Sequence, residues 1–144
     1  MQRTDRRTPY YPNIQSVPPS VVRKLIRLNS ITVIDIRQPW EYEEHHIPGA
    51  LLIPLDYFDK LFPLLNNNPI VPVCEHANRS TWLIYNKPYL FKGVKVYNML
   101  GGMELWIRMG YEISKGMDEN GMIWYKLLKN EIKLSCASNE SLKK

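Results

Sequence analysis

Short apolar runs, rich in β-branched residues, alternate along the chain with segments whose apolar residues recur at helical spacing. The runs ITVIDI at 31–36, IVPV at 70–73 and GVKVYNM at 93–99 predict buried strands. The segment PPSVVRKLIRL predicts a helix with Ser16 or Ser20 as its cap. Strands that alternate with helices are typical of an α/β fold with a mostly parallel sheet.

The segments between these runs give further elements. The apolar face of the first helix is predicted to include Val21, Leu25 and Leu28. Helices are also expected in YFDKLFPLLN, STWLIYN and GGMELWIRMGY, and a short exposed helical turn or loop in PWEYEEHH. IPGALLIPL predicts a bend followed by a brief apolar segment, and the Asn-Gly pair at 120–121 predicts a hairpin.

The positive charge is concentrated near the beginning of the chain. The 144 residues carry a formal charge of +5, and residues 1–30 hold six Lys or Arg against one acid. Because the excess lies outside the body of the chain, we expect no specific nucleic-acid binding. The pattern predicts a basic N-terminal arm at 1–16, one domain at 17–115 and a C-terminal extension at 116–144.

Cysteine content and hydropathy indicate the compartment. Cys74 and Cys136 match neither a disulfide framework nor a zinc quartet. No apolar stretch approaches the ~20 residues of a membrane span, and no apolar signal core follows the basic start. We therefore expect a reduced, cytoplasmic protein without membrane contact.

The chemically informative segment is a strand that ends at Cys74, followed by the polar loop EHANRS and then a helix. The N–H groups of such a loop, together with those of the first helical turn, form an anion-binding nest. A cysteine at a nest becomes a nucleophilic thiolate readily. Arg79 is placed to close the loop with a permanent positive charge, and Ser80 is expected to cap the following helix.

Three motifs carry a family resemblance. VIDIRQPWEYEEHHIPGALLIP resembles the rhodanese signature, CEHANRS resembles the active-site loop of that family, and GGMELWIRMGY resembles its Gly-Gly ending. The motifs span roughly residues 17 to 113 in the family order. In the first motif the matching positions are Asp35, Arg37, Glu41, Tyr42, His46, Ile47, Gly49, Ala50 and Pro54.

The resemblance implies a rhodanese-like domain, with a central sheet flanked by helices on both faces, that acts as a sulfurtransferase. Cys74 would carry sulfane sulfur as a persulfide from a donor, thiosulfate or a persulfide, to a thiol or cyanide. A sulfur-carrier protein is a further candidate partner, and no cofactor or metal is needed. Arg79 would stabilise the anion, and backbone N–H groups would surround it from the loop residues Glu75, His76, Ala77, Asn78 and Ser80.

The length of the loop discriminates within the superfamily. Relatives that act as phosphatases or arsenate reductases hold one more residue between the cysteine and the arginine, because a tetrahedral oxyanion needs a wider nest. Four residues separate Cys74 from Arg79 here, which favours sulfur as the group transferred.

Two loop positions depart from the family pattern, which often has a basic residue after the cysteine and a glycine at the fourth position. This chain has Glu75 and Ala77. A positive φ at Ala77 would cost ~1–2 kcal/mol relative to glycine. Glu75 would disfavour the thiolate and repel thiosulfate unless it points to solvent or pairs with Arg79. We therefore hypothesise that a persulfide is the natural donor.

The remaining polar residues are expected to have supporting roles. Asp35, Arg37, Glu41 and His46 are interpreted as a hydrogen-bonded frame that fixes the loop, and His76 as an exposed loop residue. The spacing of the histidines from Cys74 matches no common metal site.

Two alternatives stay open at this point. The domain could be a non-catalytic protein-interaction module, an interpretation that Glu75 and Ala77 favour. Cys136 could resolve the Cys74 persulfide through a disulfide, although a free cysteine without a role is the simpler interpretation.

Overall fold

The computed structural model describes residues 13–65 and 69–132. In this part of the chain five parallel strands form one sheet in the order β1-β5-β4-β2-β3. The strands are β1 Ile14–Val17, β2 Thr32–Asp35, β3 Leu51–Leu52, β4 Ile70–Val73 and β5 Val96–Met99. The predicted parallel α/β architecture is confirmed. The central strand β4 is buried along its whole length, as the uninterrupted apolar run IVPV indicates.

Helices cover both faces of the sheet. They are α1 Pro19–Arg27, α2 Pro39–Glu44, α3 Leu55–Leu61, α4 Asn78–Asn86 and α5 Gly102–Arg108, and residues 123–132 are also helical. Single 3-10 turns lie at Phe62–Leu64, Pro88–Phe91 and Asn120–Met122. Among these described residues, no helix is long and apolar enough to cross a membrane.

The core consists of two clusters, because successive strand residues point to opposite faces. Ile34 belongs to one cluster, with side chains from α3 and α4, and its neighbour Val33 belongs to the other, with side chains from α1 and α5. Trp124, from the helical residues 123–132, packs against both clusters. The C-terminal segment therefore contributes to the same core as the sheet.

The predicted N-terminal arm includes residues that belong to the sheet. Ile14–Val17 form β1, which pairs in parallel with β5 over its whole length. The side-chain amide of Asn13 donates to the carbonyl oxygens of Phe91 and Val94, both at 2.9 Å. A four-residue edge strand with two exposed side chains shows no clear apolar pattern, which explains why the sequence did not indicate it. Residues 1–12 lie outside the described part of the chain.

The predicted start of α1 is wrong in detail. Pro18 occupies the N-cap position in an extended conformation, and no side chain of Ser16 or Ser20 caps the helix. Two prolines with φ preset near the helical value begin the helix without a hydroxyl cap. Pro19 and Val22 are the buried residues of this helix, and Leu28 lies beyond its end and is exposed.

The predicted hairpin at 120–121 is also wrong. Asn120–Met122 form a 3-10 turn that leads into the helical residues 123–132. The carboxylate of Asp118 accepts the N–H of Gly121 at 2.8 Å, which stabilises a helical start. Gly121 lies against the ring of Tyr42, where a Cβ would come within 2.5 Å of Cε1, so the glycine serves close packing.

Candidate active site

Cys74 directly follows the central strand β4, at the edge of the sheet where the carboxyl ends of the strands meet. Its Sγ accepts a hydrogen bond from the N–H of Ser80 at 3.3 Å, and only 1% of the residue is exposed. The intervening residues form a short turn, and α4 begins at Asn78. The first turn of α4 therefore directs a backbone N–H at the sulfur.

The turn ends in a left-handed residue. Ala77 is the N-cap of α4 and has a φ of 70°, the conformation for which glycine is the usual residue. The positive φ considered from the sequence is thus present, and alanine accommodates it. The expectation that Ser80 caps the helix is wrong, because Ser80 lies inside the first turn.

The first two loop carbonyls are held by the N-terminus of α5. The N–H of Met103 donates to the carbonyl of Cys74 at 2.9 Å, and the N–H of Glu104 donates to that of Glu75 at 3.0 Å. Because the carbonyl and amide of a trans peptide point in opposite directions, the N–H groups of Glu75 and His76 point away from α5. The N-terminus of α5 therefore fixes the direction of both peptide groups.

Gly102 makes this approach possible. It has a φ of 61°, and a Cβ at this position would lie 2.5 Å from the carbonyl oxygens of both Cys74 and Glu75. The Gly-Gly motif therefore brings the N-terminus of α5 against the loop backbone, a function that the sequence alone does not indicate.

Arg37 lies under the loop and is almost fully buried. Its Nε and Nη2 donate to the carboxylate of Asp35, Nη2 also donates to the carbonyl of His45 at 2.6 Å, and Nη1 lies 3.3 Å from Oε1 of Glu75. Burial raises the pKa of Asp35, and the hydrogen bonds from Arg37 act against this effect. Glu75 pairs with Arg37 and not with Arg79.

Arg79 faces Glu41 at the start of α2. Its Nη1 and Nη2 donate to the two carboxylate oxygens of Glu41 at 2.9 and 3.0 Å. This two-point contact lowers the pKa of Glu41 and raises that of Arg79. The side chain of Arg79 is 36% exposed, so its guanidinium is reachable from solvent while its charge is balanced by Glu41.

A buried asparagine supports the loop from β5. The hydroxyl oxygen of Ser80 lies 3.0 Å from Oδ1 of Asn98, and Nδ2 of Asn98 donates to Oγ1 of Thr81 at 3.0 Å. Asn98 thus holds two residues in the first turns of α4, one of which directs its N–H at Cys74. Sequence reasoning missed this residue, although a polar side chain at the carboxyl end of a buried strand was a usable signal.

His46 lies in a different network, beneath α2. Its ring stacks on Tyr42 at 3.6 Å, Nδ1 contacts the carbonyl of Tyr42, and Nε2 lies 3.0 Å from Oδ2 of Asp118. Burial raises the pKa of Asp118, but hydrogen bonds from Gly121, Tyr42 and His46 outweigh this effect and hold the pKa below its usual range. His46 therefore anchors the C-terminal segment, and Asp118 was not indicated by the sequence.

The other loop residues contact solvent. His76 is exposed, and its Nδ1 lies 3.7 Å from a carboxylate oxygen of Glu104. Asn78 is exposed at the start of α4. Cys136 lies outside the described residues. Within residues 13–65 and 69–132, no three His, Cys, Asp or Glu side chains are grouped as a metal site requires.

Comparisons with known proteins agree with this architecture. The model of the rhodanese-like domain family matches residues 18–109. The chain belongs to the rhodanese-like domain family. Among solved structures, a rhodanese-related protein from Thermoplasma volcanium is 25% identical with a TM-score of 0.63, and covers 69% of this chain and 97% of its own.

Two further relatives are longer proteins. A Bacillus subtilis protein named "Putative sulfur carrier protein YrkF" is 35% identical over 79 residues, 54% of this chain and 42% of its own length, so this chain spans less than half of it. A thiosulfate sulfurtransferase from Pseudomonas aeruginosa shares the fold, with 21% identity, a TM-score of 0.58, and coverage of 72% of this chain and 20% of its own. The family relation supports a role connected with sulfur transfer.

Proposed function

We propose that this protein is a sulfurtransferase in which Cys74 carries sulfane sulfur as a persulfide. The observation that carries the proposal is the position of Cys74 Sγ at the start of α4, in contact with the N–H of Ser80. Backbone N–H groups aimed at a fixed point stabilise a negative charge that forms there. A terminal persulfide sulfur bonded to Cys74 would bear such a charge.

The reaction needs two displacements at sulfur. The Cys74 thiolate attacks the outer sulfur of thiosulfate or of a persulfide, the S–S bond of the donor breaks, and its electron pair leaves with sulfite or a thiolate. A thiol or cyanide acceptor then attacks the outer sulfur of the Cys74 persulfide. The acceptor leaves as a persulfide or as thiocyanate, and the Cys74 thiolate is released. Each step conserves atoms and charge and needs no metal or organic cofactor.

The surrounding residues have distinct parts in this proposal. Arg79 lies at the end of the loop and assists the anionic sulfur or donor with its accessible guanidinium, while Glu41 orients it. Asp35, Arg37 and Asn98 hold the loop in shape. A free thiolate of this kind fits the cytoplasm, where thiols stay reduced. A sulfur-carrier protein is a candidate partner, which the name of the Bacillus subtilis relative also suggests.

Intact-protein mass spectrometry tests the proposal. The wild type and a Cys136→Ser variant should each gain the mass of one sulfur atom after brief exposure to thiosulfate or cysteine persulfide. Cyanide should remove this mass, and a Cys74→Ser variant should not acquire it. Absence of a cyanide-labile sulfur on the Cys136→Ser variant with both donors would contradict the proposal.

A protein-interaction module is the second candidate, and two observations favour it. Cys74 is 1% exposed, and both Nη atoms of Arg79 are engaged by Glu41. Alkylation separates the two functions, because a sulfur carrier must expose its thiolate. In the Cys136→Ser variant at neutral pH, a carrier should react much faster than a cysteine-containing model peptide, and an inert module much more slowly.

A further inference from the structure

The charged side chains that pair around the loop carry a net negative charge, although the proposed site accepts an anion. Three carboxylates, those of Asp35, Glu41 and Glu75, contact two guanidiniums, those of Arg37 and Arg79. In the described part of the chain, each of these two cations is thus already matched by a carboxylate. An incoming anion therefore meets guanidiniums whose positive charge is already offset by carboxylates, which weakens their attraction for it.

Glu75 is the third carboxylate, and it makes the net charge of these paired side chains negative. It is the residue next to Cys74, its side chain is 31% exposed, and its Oε1 lies 3.3 Å from Nη1 of Arg37. The other donating atoms of Arg37 are directed at Asp35 and at the carbonyl of His45. Nη1 is consequently the part of the buried guanidinium that faces the loop, and Glu75 covers it.

The two donor classes differ in the charge that they bring to this surface. Thiosulfate is a dianion, and it releases sulfite, which is again a dianion. Cysteine persulfide carries at most one net negative charge, on its outer sulfur, because its ammonium group offsets its carboxylate. Its leaving group is a thiolate with one negative charge. Like charges repel strongly where solvent is partly excluded, so the carboxylate of Glu75 opposes the first donor more than the second.

We propose, on the basis of the sulfurtransferase function above, that Glu75 makes this site select a thiol persulfide over thiosulfate as the sulfur donor. In the selected reaction the Cys74 thiolate attacks the outer sulfur of the persulfide, a new S–S bond forms, and the old S–S bond breaks. Its electron pair leaves with the donor sulfur, which takes up the proton if the persulfide arrived protonated. Glu75 acts on the approach of the donor and not on the bonds that change.

The test compares loading rates for the two donors in three variants. The second-order rate constant for persulfide formation on Cys74 is measured by mass spectrometry with thiosulfate and with cysteine persulfide, and their ratio gives the selectivity. The wild type should prefer cysteine persulfide. Glu75→Gln removes the negative charge beside Nη1 of Arg37, so the ratio should shift toward thiosulfate by about tenfold.

Two matched variants separate this effect from general charge and from misfolding. Glu75→Asp keeps the carboxylate and should keep the wild-type preference for persulfide. Glu104→Gln removes an equal charge beside the loop, where the carboxylate contacts His76 and Arg108 but not Arg37. Its ratio should shift by less than about threefold, because exposed charges are screened by solvent.

The outcomes separate this proposal from the function on which it rests. If neither donor loads the wild type, the sulfurtransferase function fails and the selectivity fails with it. If both donors load Cys74 but the ratio is unchanged in Glu75→Gln, sulfur transfer stands and the role of Glu75 is overturned. An equal shift in Glu75→Gln and Glu104→Gln also overturns it, because the overall field would then be the cause.

Discussion

The two sides of the Cys74 loop are held by different physical means. The side facing β2 and α2, which we call the charged side, consists of Asp35, Arg37, Glu41, Glu75 and Arg79. The side facing β5 and α5, the neutral side, consists of Asn98, Ser80, Gly102 and the N–H groups of Met103 and Glu104. One short loop is thus clamped between ion pairs and uncharged hydrogen bonds.

The two sides therefore determine different properties of the loop: the charged side its electrostatics, and the neutral side its backbone geometry. Ion pairs respond to pH, salt and the charge of a ligand, whereas backbone hydrogen bonds are largely indifferent to all three. The neutral side sets where the loop N–H groups point, because it fixes the carbonyls of Cys74 and Glu75. The charged side sets the electrostatic potential at the sulfur. Substitutions on the two sides should therefore differ in kind as well as in size.

The largest effect is expected from Arg37→Ala on the charged side. It leaves the buried carboxylate of Asp35 without its partner, which should lower the free energy of unfolding by about 3–5 kcal/mol. Urea denaturation measures this loss. Arg79→Ala is the matched control, and it should cost about 1 kcal/mol or less because Arg79 is partly exposed. Equal losses would contradict the distinction between the two arginines.

Gly102→Ala breaks the neutral side. The new Cβ would overlap the carbonyl oxygens of Cys74 and Glu75, and the alanine would have to adopt a left-handed φ. Both effects should together lower the free energy of unfolding by about 2–4 kcal/mol. Sulfur loading of Cys74 should fall sharply under conditions where the variant is still folded. Gly93→Ala is the control, since it has a similar φ but no atom within 4 Å of the added Cβ. Normal loading in Gly102→Ala would remove the loop-orienting role of α5.

Asn98→Ala weakens the neutral side without adding bulk. It leaves the hydroxyls of Ser80 and Thr81 without the amide, which should cost about 1–3 kcal/mol in unfolding free energy. Loading of Cys74 should slow by about three- to tenfold, since the N–H of Ser80 is held less firmly. Raising the salt concentration should not change the size of this defect. A strongly salt-dependent defect would place Asn98 with the charged side.

The smallest effect is expected from Glu41→Gln, whose stability relative to the wild type should depend on pH. Arg79 holds the pKa of Glu41 below its usual value near 4.5, so the ionised pair stabilises the fold above that value. The stabilisation is lost as the pH falls through the lowered pKa. Wild type should exceed Glu41→Gln by about 1 kcal/mol or less at pH 7, and the difference should vanish in acid. Urea denaturation at several pH values measures it, and a constant difference would contradict the assignment.

The sequence predicted the position of the loop better than its contacts. The strand that ends at Cys74 and the three family motifs locate the site, because in a parallel sheet the carboxyl ends of strands meet at one edge. The partner of Glu75 was not predictable, since Arg37 follows β2 and lies 38 positions away in the sequence. An ion pair between residues that follow two neighbouring strands depends on the direction and length of the side chains, which the strand pattern does not indicate.

The same limit explains the missed polar residues. Asn98 and Asp118 act through contacts with residues 18 and 72 positions away. Asn98 was marked only by its place at the carboxyl end of a buried strand, and Asp118 lies in a polar stretch without a repeated pattern. The Asn-Gly pair at 120–121 misled for a related reason, because the nearby carboxylate of Asp118 turns it into a helix start. The hairpin preference of Asn-Gly was thus outweighed by a carboxylate three residues before the glycine.

The placement of the C-terminal segment has a consequence for the unit that folds. The family match ends at residue 109, but contacts between the matched part and later residues continue beyond it. Trp106 donates to the carbonyl of Glu112, His46 pairs with Ser114 and Asp118, and Trp124 packs against both clusters of the core. A fragment cut at the family boundary would retain the whole loop and lose part of its interior. We therefore expect residues 110–132 to unfold together with the matched part, so that the cooperative unit is longer than the segment shared with the family.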